Sequence, residues 1–209
     1  MPGLRVTLLN IDGSKMFTQS QKLVEEQFAE HNQGLPKRNQ HQLQSLSSRN
    51  PFRLADSLAE PTDLIHLMAH GEPGGNLLQI RLKGLWKRRF STEALRYYWE
   101  EFGQTPKVQC VLVDACDTFH PTWLKEIPKM IPSGESVIYI GTTRPVLFQE
   151  CESYTTAFYA QLFRGPDGPD VVGDAFKGAH RAAGATYRRQ HRQECPFKLR
   201  SIQGRRDSN

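Results

Sequence analysis

Four short, nearly unbroken apolar runs recur along the chain, separated by stretches of helical periodicity, and that alternation restricts the fold more than any other feature. The runs are "LRVTLLN" (4–10), "LIHLMA" (64–69), "VQCVLVD" (108–114) and "SVIYIG" (136–141). Each has strand length, is rich in branched aliphatic residues and is bounded by turn or polar residues. A strand apolar on both faces has to be covered on both faces, which is the situation of a parallel sheet between helices. The intervening segments supply the helices. "SQKLVEEQFAEH" (20–31) spaces Leu23, Val24, Gln27 and Phe28 along one stripe behind a Ser20 cap. "STEALRYYWEEFG" (91–103) has Ser91 as cap and Gly103 as stop, and "HPTWLKEIPKM" (120–130) has a proline near its start. Helices are also predicted over 152–165 and 170–190, a small extra strand or hairpin arm over 77–82, and a last strand over 196–202. The expected fold class is therefore α/β, with a mostly parallel central sheet covered on both faces. In such sheets ligand sites form beyond the carboxyl ends of the strands.

With 209 residues, a single domain spanning 1–203 is expected, carrying a polar insertion at 32–61 and a short tail at 204–209. The insertion is rich in Gln, Asn, Ser and Arg with sparse apolar anchors, and reads as an irregular surface segment with a short helix. The net charge of +5 admits an acidic partner, but many basic residues fall in the loop-like or terminal runs "YRRQHR" (187–192) and "GRRDSN" (204–209). Direct nucleic-acid binding is not expected from so modest an excess, although a basic nucleic-acid-associated module is the third reading of the chain. Four cysteines without a C-x-x-C pair fit free thiols in a reducing, cytoplasmic setting. No leader-like amino terminus and no apolar run of membrane-spanning length is evident, so neither a signal peptide nor a membrane span is expected.

Two motifs stand at strand ends. "LIHLMAHG" brings His70 and Gly71 to the end of one apolar run, and "VLVDAC" brings Asp114 and Cys116 to the end of another. Thiol peptidases need a sulfur nucleophile, an imidazole to protonate the departing amine, and backbone N–H groups for the oxyanion. A glycine after the histidine lets the chain turn sharply and present its N–H to the reacting carbonyl. Cys116 follows His70 by 46 positions, and the residues between hold one helix and one strand, enough for a crossover that sets two parallel strand ends side by side.

On these motifs the sequence resembles the caspase-like cysteine peptidases of clan CD, which include caspases, metacaspases, legumain-type enzymes and bacterial CHAT domains. The spacing matches the histidine about 50 residues before an x-A-C nucleophile in caspases. "SVIYIGTTRPV" and "YTTAFYAQLF" resemble the CHAT branch most. The resemblance implies a caspase-haemoglobinase-like three-layer α/β/α sandwich. It also implies an endopeptidase acting on protein or peptide substrates; no cofactor and no metal site is expected from the residues. Cys116 would be the nucleophile, His70 the general acid, and the N–H groups of Gly71 and Cys116 the oxyanion hole. Asp114 matches the acid that lines the pocket for Lys or Arg in metacaspase-like enzymes. Caspases proper carry a glutamine there, so cleavage after a basic residue is expected, with Asp12, Thr142 and Arg144 as further substrate-side candidates. Related bacterial domains work in stress or phage-defence systems beside a larger partner, so an activating or regulatory protein partner fits the same picture.

Plainer readings stand beside these. Cys116 is also compatible with an inert core thiol, His70 with a hydrogen-bonded strand-end histidine, and Asp114 with a cap for the turn that holds Cys116. Thr142, Thr143 and Arg144 also suit a solvated loop. A catalytically silent interaction domain on the same fold is the alternative to an enzyme. His66 and His70 are four apart but lack the companions of a zinc site. Cys151, in "ECES" (150–153), has no His-Gly partner of its own, Cys110 lies inside a strand, and Cys195 is read as a late, surface thiol.

Overall fold

The structure is a computed structural model that describes residues 3–11, 15–47, 61–72, 74–75, 77–81, 86–91, 93, 96–97, 108–131, 133–165 and 172–204. Asp12, residues 205–209 and, apart from Ser91, Glu93, Arg96 and Tyr97, the helix expected over 91–103 lie outside the described residues.

Nine strands are described: β1 (Arg5–Asn10), β2 (Gln42–Ser47), β3 (Leu64–Met68), β4 (His70–Gly71), β5 (Leu77–Arg81), β6 (Trp86–Phe90), β7 (Cys110–Asp114), β8 (Ser136–Thr142) and β9 (Phe197–Gln203). Four α-helices have both ends among the described residues: α1 (Lys15–Asn32), α2 (Pro121–Met130), α3 (Phe148–Arg164) and α4 (Val172–His191). The central sheet has six strands in the order β2-β1-β3-β7-β8-β9. All of its pairs are parallel except β8–β9. β4, β5 and β6 form a small antiparallel sheet of their own, so the hairpin arm expected near 77–82 is present.

The two central strands, β3 and β7, are buried along their whole length, as their continuous apolar character requires. Alternate residues divide between two cores. Leu8, Leu64, Met68, Cys110, Leu112 and Ile140 pack with Phe17, Phe28, Tyr154, Phe158 and Phe176 from α1, α3 and α4. Leu9, Ile65, Leu67, Val111, Val113 and Tyr139 pack with Trp123 and Ile127 from α2. The result is a three-layer α/β/α sandwich, as the sequence led us to expect.

Several boundaries differ from the sequence reading. Residues 42–47, expected to be irregular, form the edge strand β2, paired in register with β1 from Arg5↔Gln42 to Asn10↔Ser47. An edge strand is buried on one side at most, so its polar alternation hid it. Helix α1 begins at Lys15, and Ser20 is not a cap but sits inside the helix on the buried face with Phe17, Val24 and Phe28. Helix α3 begins at Phe148, four residues earlier than expected, which places Cys151 in its first turn. The "YRRQHR" run is not loop-like: it closes α4, and Tyr187 is fully buried. Cys195 is buried rather than a surface thiol.

Candidate active site

Strands β3 and β7 run side by side to their carboxyl ends. Met68 pairs with Asp114, and the Ala69 N–H donates to the Asp114 carbonyl at 3.2 Å. His70 and Cys116 therefore each stand two residues beyond the last paired position. The contact between the two segments is made by backbone. A β-carbon added to Gly71 would lie 2.0 Å from the Cys116 carbonyl oxygen and 2.6 Å from its nitrogen. Only glycine permits so close an approach.

The thiol faces a third segment, the loop between β8 and α3. The Val146 N–H donates to Cys116 Sγ at 3.4 Å, and Sγ lies 3.6 Å from the Val146 carbonyl oxygen. Two residues on, Phe148 meets Phe17 edge-to-face at 6.4 Å, and Phe17 meets the His70 ring edge-to-face at 5.1 Å. The imidazole thus packs on Phe17, whose neighbour Phe148 opens α3 just after the loop that meets the thiol. Both residues are half-buried, held in place yet open to solvent.

The turn that carries Cys116 is fixed from several directions. Asp117 adopts φ 54, in the left-handed region, where a short hydrogen-bonding side chain is tolerated. Its Oδ2 accepts from the Gly74 N–H at 3.1 Å, and its own N–H donates to the Arg144 carbonyl at 3.4 Å. Thr118 Oγ1 donates to the Ala115 carbonyl at 3.2 Å, and Tyr139 Oη donates to the Thr118 carbonyl at 2.5 Å. The glycine loop after His70 is anchored on α2, where Trp123 Nε1 donates to the Gly75 carbonyl at 2.6 Å. In this way both strand-end turns are tied to the same scaffold.

Asp114 is 1% exposed and lies on the α1/α3/α4 side of the sheet, directly below the turn. Thr155 Oγ1 donates to its Oδ2 at 3.3 Å, and His66 Nε2 is 3.9 Å from the same oxygen. Oδ1 has no hydrogen-bond partner among the described residues, nor has His66 Nε2. Burial pushes the Asp114 carboxyl up to about 6, against which Cys151 and Thr155 pull only partly. His66, fully buried with Nδ1 at 3.0 Å from Tyr159 Oη, is pushed down to about 3 by its own burial and is neutral. Asp114 does not cap the turn through any of these bonds.

Two substrate-side expectations need correction. Thr142 is fully buried, its Oγ1 donating to the Ala115 carbonyl at 2.5 Å and its N–H to Thr118 Oγ1 at 3.1 Å. It clips the Cys116 turn to the end of β8 and presents no hydroxyl to a substrate. Arg144 is committed as well: Nη2 donates to Glu150 Oε1 at 2.8 Å, to Tyr187 Oη at 2.9 Å and to Gln193 Oε1 at 3.3 Å. Tyr187 Oη also donates to Glu150 Oε1, and Glu150 Oε2 accepts the Leu147 N–H at 2.6 Å. Burial raises the Glu150 carboxyl, yet the bonds from Arg144, Leu147 and Tyr187 together hold it at about 2. This cluster braces the loop that carries Val146. The sequence reading missed Glu150, Tyr187, Phe17 and Phe148. Glu150 lay in the "ECES" run, considered only for its thiol, and a backbone contact such as that of Val146 leaves no mark in a sequence.

No family model matches the sequence, and no curated protein matches it. Solved structures do. A secreted C11 cysteine protease from Bacteroides thetaiotaomicron, solved with an irreversible peptide inhibitor, matches with a TM-score of 0.59 at 11% identity, over 88% of this chain and 59% of that one. The Arg-specific cysteine proteinase gingipain R matches with a TM-score of 0.57 at 10% identity, over 96% of this chain and 46% of that one. The fold is caspase-like. The chain spans about half to three-fifths of the length of these two neighbours. In this caspase-like frame His70 and Cys116 occupy the ends of adjacent inner strands. Among the described residues, no helix is long and apolar enough to cross a membrane.

Proposed function

We propose that this chain is a cysteine endopeptidase that cleaves protein substrates after a basic residue. The single observation that carries the reading is the packing of Gly71 against the Cys116 backbone, which sets the His70 segment beside the thiol. In the proposed reaction Cys116 Sγ attacks the scissile carbonyl, and the N–H groups of Gly71 and Cys116 receive the oxyanion. His70 takes the proton that the attacking thiol loses and gives it to the departing amine. Water then hydrolyses the thioester and the thiol is restored.

The basic preference rests on Asp114. A buried carboxylate oxygen without a partner is costly, and a guanidinium or ammonium delivered by the substrate offsets that cost. The Arg specificity of gingipain R agrees with this assignment. Four free thiols support a reducing, cytoplasmic setting, although the C11 neighbour is secreted. A regulatory partner and a role in stress or phage defence extend the proposal and rest on the resemblance to CHAT domains.

The test is a set of fluorogenic peptides differing only at the residue before the scissile bond, with an acyloxymethyl-ketone probe carrying arginine there. Turnover of Arg and Lys peptides, abolished in Cys116→Ala, with the probe found on Cys116 by mass spectrometry, is the expected result. Undiminished cleavage by Cys116→Ala, or labelling of another cysteine, would overturn the assignment.

A further inference from the structure

The basic run that closes α4 has no part in the chemistry proposed above, yet it borders a hollow. The cavity, of about 310 Å³, lies between α4 and the start of β9, and its lining includes neither Cys116 nor His70. Arg181 and Arg188 are seven residues apart on α4, hence on one face, with about 10 Å of helix rise between them. Gly184 between them creates the concavity. A β-carbon there would reach within 3.8 Å of Cys195 Sγ and 4.0 Å of an Arg188 guanidinium nitrogen, so any larger side chain would fill the space.

The charge is one-sided. Arg181, Arg188 and Lys198 face a single carboxylate, Glu194, which is already held by Lys198 Nζ at 2.5 Å. Among the described residues neither arginine is in an ion pair. His180, on the same wall and bonded through Nδ1 to Tyr154 Oη, is lowered to about 4 by burial and then by the charges of Lys198 and Arg181. The potential inside the hollow is therefore positive.

We propose that this hollow binds a small anion carrying two or more phosphate groups. Two uncommitted guanidinium forks suit phosphate oxygens bidentately. The ~10 Å of helix between the two positions gives room for more than one phosphate. A volume at the lower end of the ~300–1,000 Å³ usual for ligand sites favours a small molecule over a polymer. The hollow also has a mechanical link to the thiol. In the segment joining α4 to β9, the Pro196 carbonyl accepts from the Thr143 N–H at 3.0 Å and from Thr143 Oγ1 at 3.2 Å, while Gln193 accepts from Arg144. Thr143 and Arg144 lead to Val146, so a bound anion changes the reactivity of Cys116. The binding site itself does not rest on the peptidase reading.

Titrating the full chain carrying Cys116→Ala with pyrophosphate and with triphosphate by calorimetry tests the site without proteolysis. Saturable binding is expected, about ten-fold or more weaker in Arg181→Gln/Arg188→Gln and tighter in Glu194→Gln. Circular dichroism checks that these exposed replacements leave the fold intact. No binding at millimolar ligand, equal affinity in the double variant, or the same heat from sodium chloride at matched ionic strength overturns the site. Preferential binding of single-stranded RNA, with affinity growing with length, overturns the small-ligand assignment. In the protein with Cys116 present, triphosphate is expected to alter the rate of iodoacetamide modification at Cys116 by about two-fold or more, and not in the double variant. An unchanged rate beside confirmed binding overturns the coupling alone.

Discussion

Alanine at position 71 would set a methyl group 2.0 Å from a carbonyl oxygen, well inside contact distance, and the backbone of one strand end would have to move. Displacements of about 1 Å at a reacting centre cost on the order of 10²-fold, and Gly71→Ala is expected to lower kcat/KM by that much while the melting temperature falls only modestly. Asp114→Asn should separate stability from activity. The folded carboxyl, at about 6, lies above its ordinary 3.8, so the fold favours the neutral acid. That benefit is full below the unfolded value and is lost as pH rises through about 6. At neutral pH the ionised group then costs on the order of 3 kcal/mol. The asparagine variant should be more stable than the parent near pH 7 and equal to it in acid, and should fail to cleave after arginine. Denaturant melts across pH, beside peptide assays, test both halves. The adjacency of the His70 and Cys116 segments was legible in the sequence because it follows from strand ends and one glycine. Thr142 and Arg144 were not, because Ala115 and Tyr187 lie far away along the chain and the nearer Glu150 meets Arg144 only through the turn that opens α3.

Helix α3 contributes through its first turn, where Glu150 joins Arg144, Tyr187 and the Leu147 N–H. Glu150 is nearly buried while Arg144 is 38% exposed, so removing the carboxylate should cost about 2 kcal/mol, less than for a fully enclosed pair. The folded carboxyl at about 2 lies below its ordinary 4.5. Its stabilisation is therefore present above pH 4.5 and lost as pH falls toward about 2. Glu150→Gln should accordingly be less stable than the parent at neutral pH, with the two melting curves converging in acid. The same replacement should lower kcat/KM, since the loop over Cys116 loses its brace. The start of α3 was misplaced in the sequence reading because no Ser, Thr, Asp or Asn marks it: Leu147 stands at the cap and Glu150 reaches back instead. The start of α1 was misplaced for the opposite reason, since Ser20 carries a cap's chemistry on a buried helical face.

Across the whole molecule, three of four thiols are sealed, Cys110 at 0%, Cys151 at 6% and Cys195 at 5% exposure, while Cys116 is half-open. Brief iodoacetamide treatment of the native protein should modify Cys116 alone, and all four only after unfolding; peptide mapping would reveal any other pattern. The parallel sheet and its two covered faces were legible because continuous apolar runs admit few other solutions. The order of strands was not, since β2 is polar and its place beside β1 depends on pairing rather than hydropathy. One consequence follows from the glycine at the strand end. Where main chain touches main chain, spacing is set by atomic radii and no rotamer can adjust it. The two inner strands thus form a fixed jaw, while the facing segment 143–148 is held by side chains such as Arg144 and Glu150. Substrate preference can change there by ordinary substitution, without disturbing the distance on which bond breaking depends.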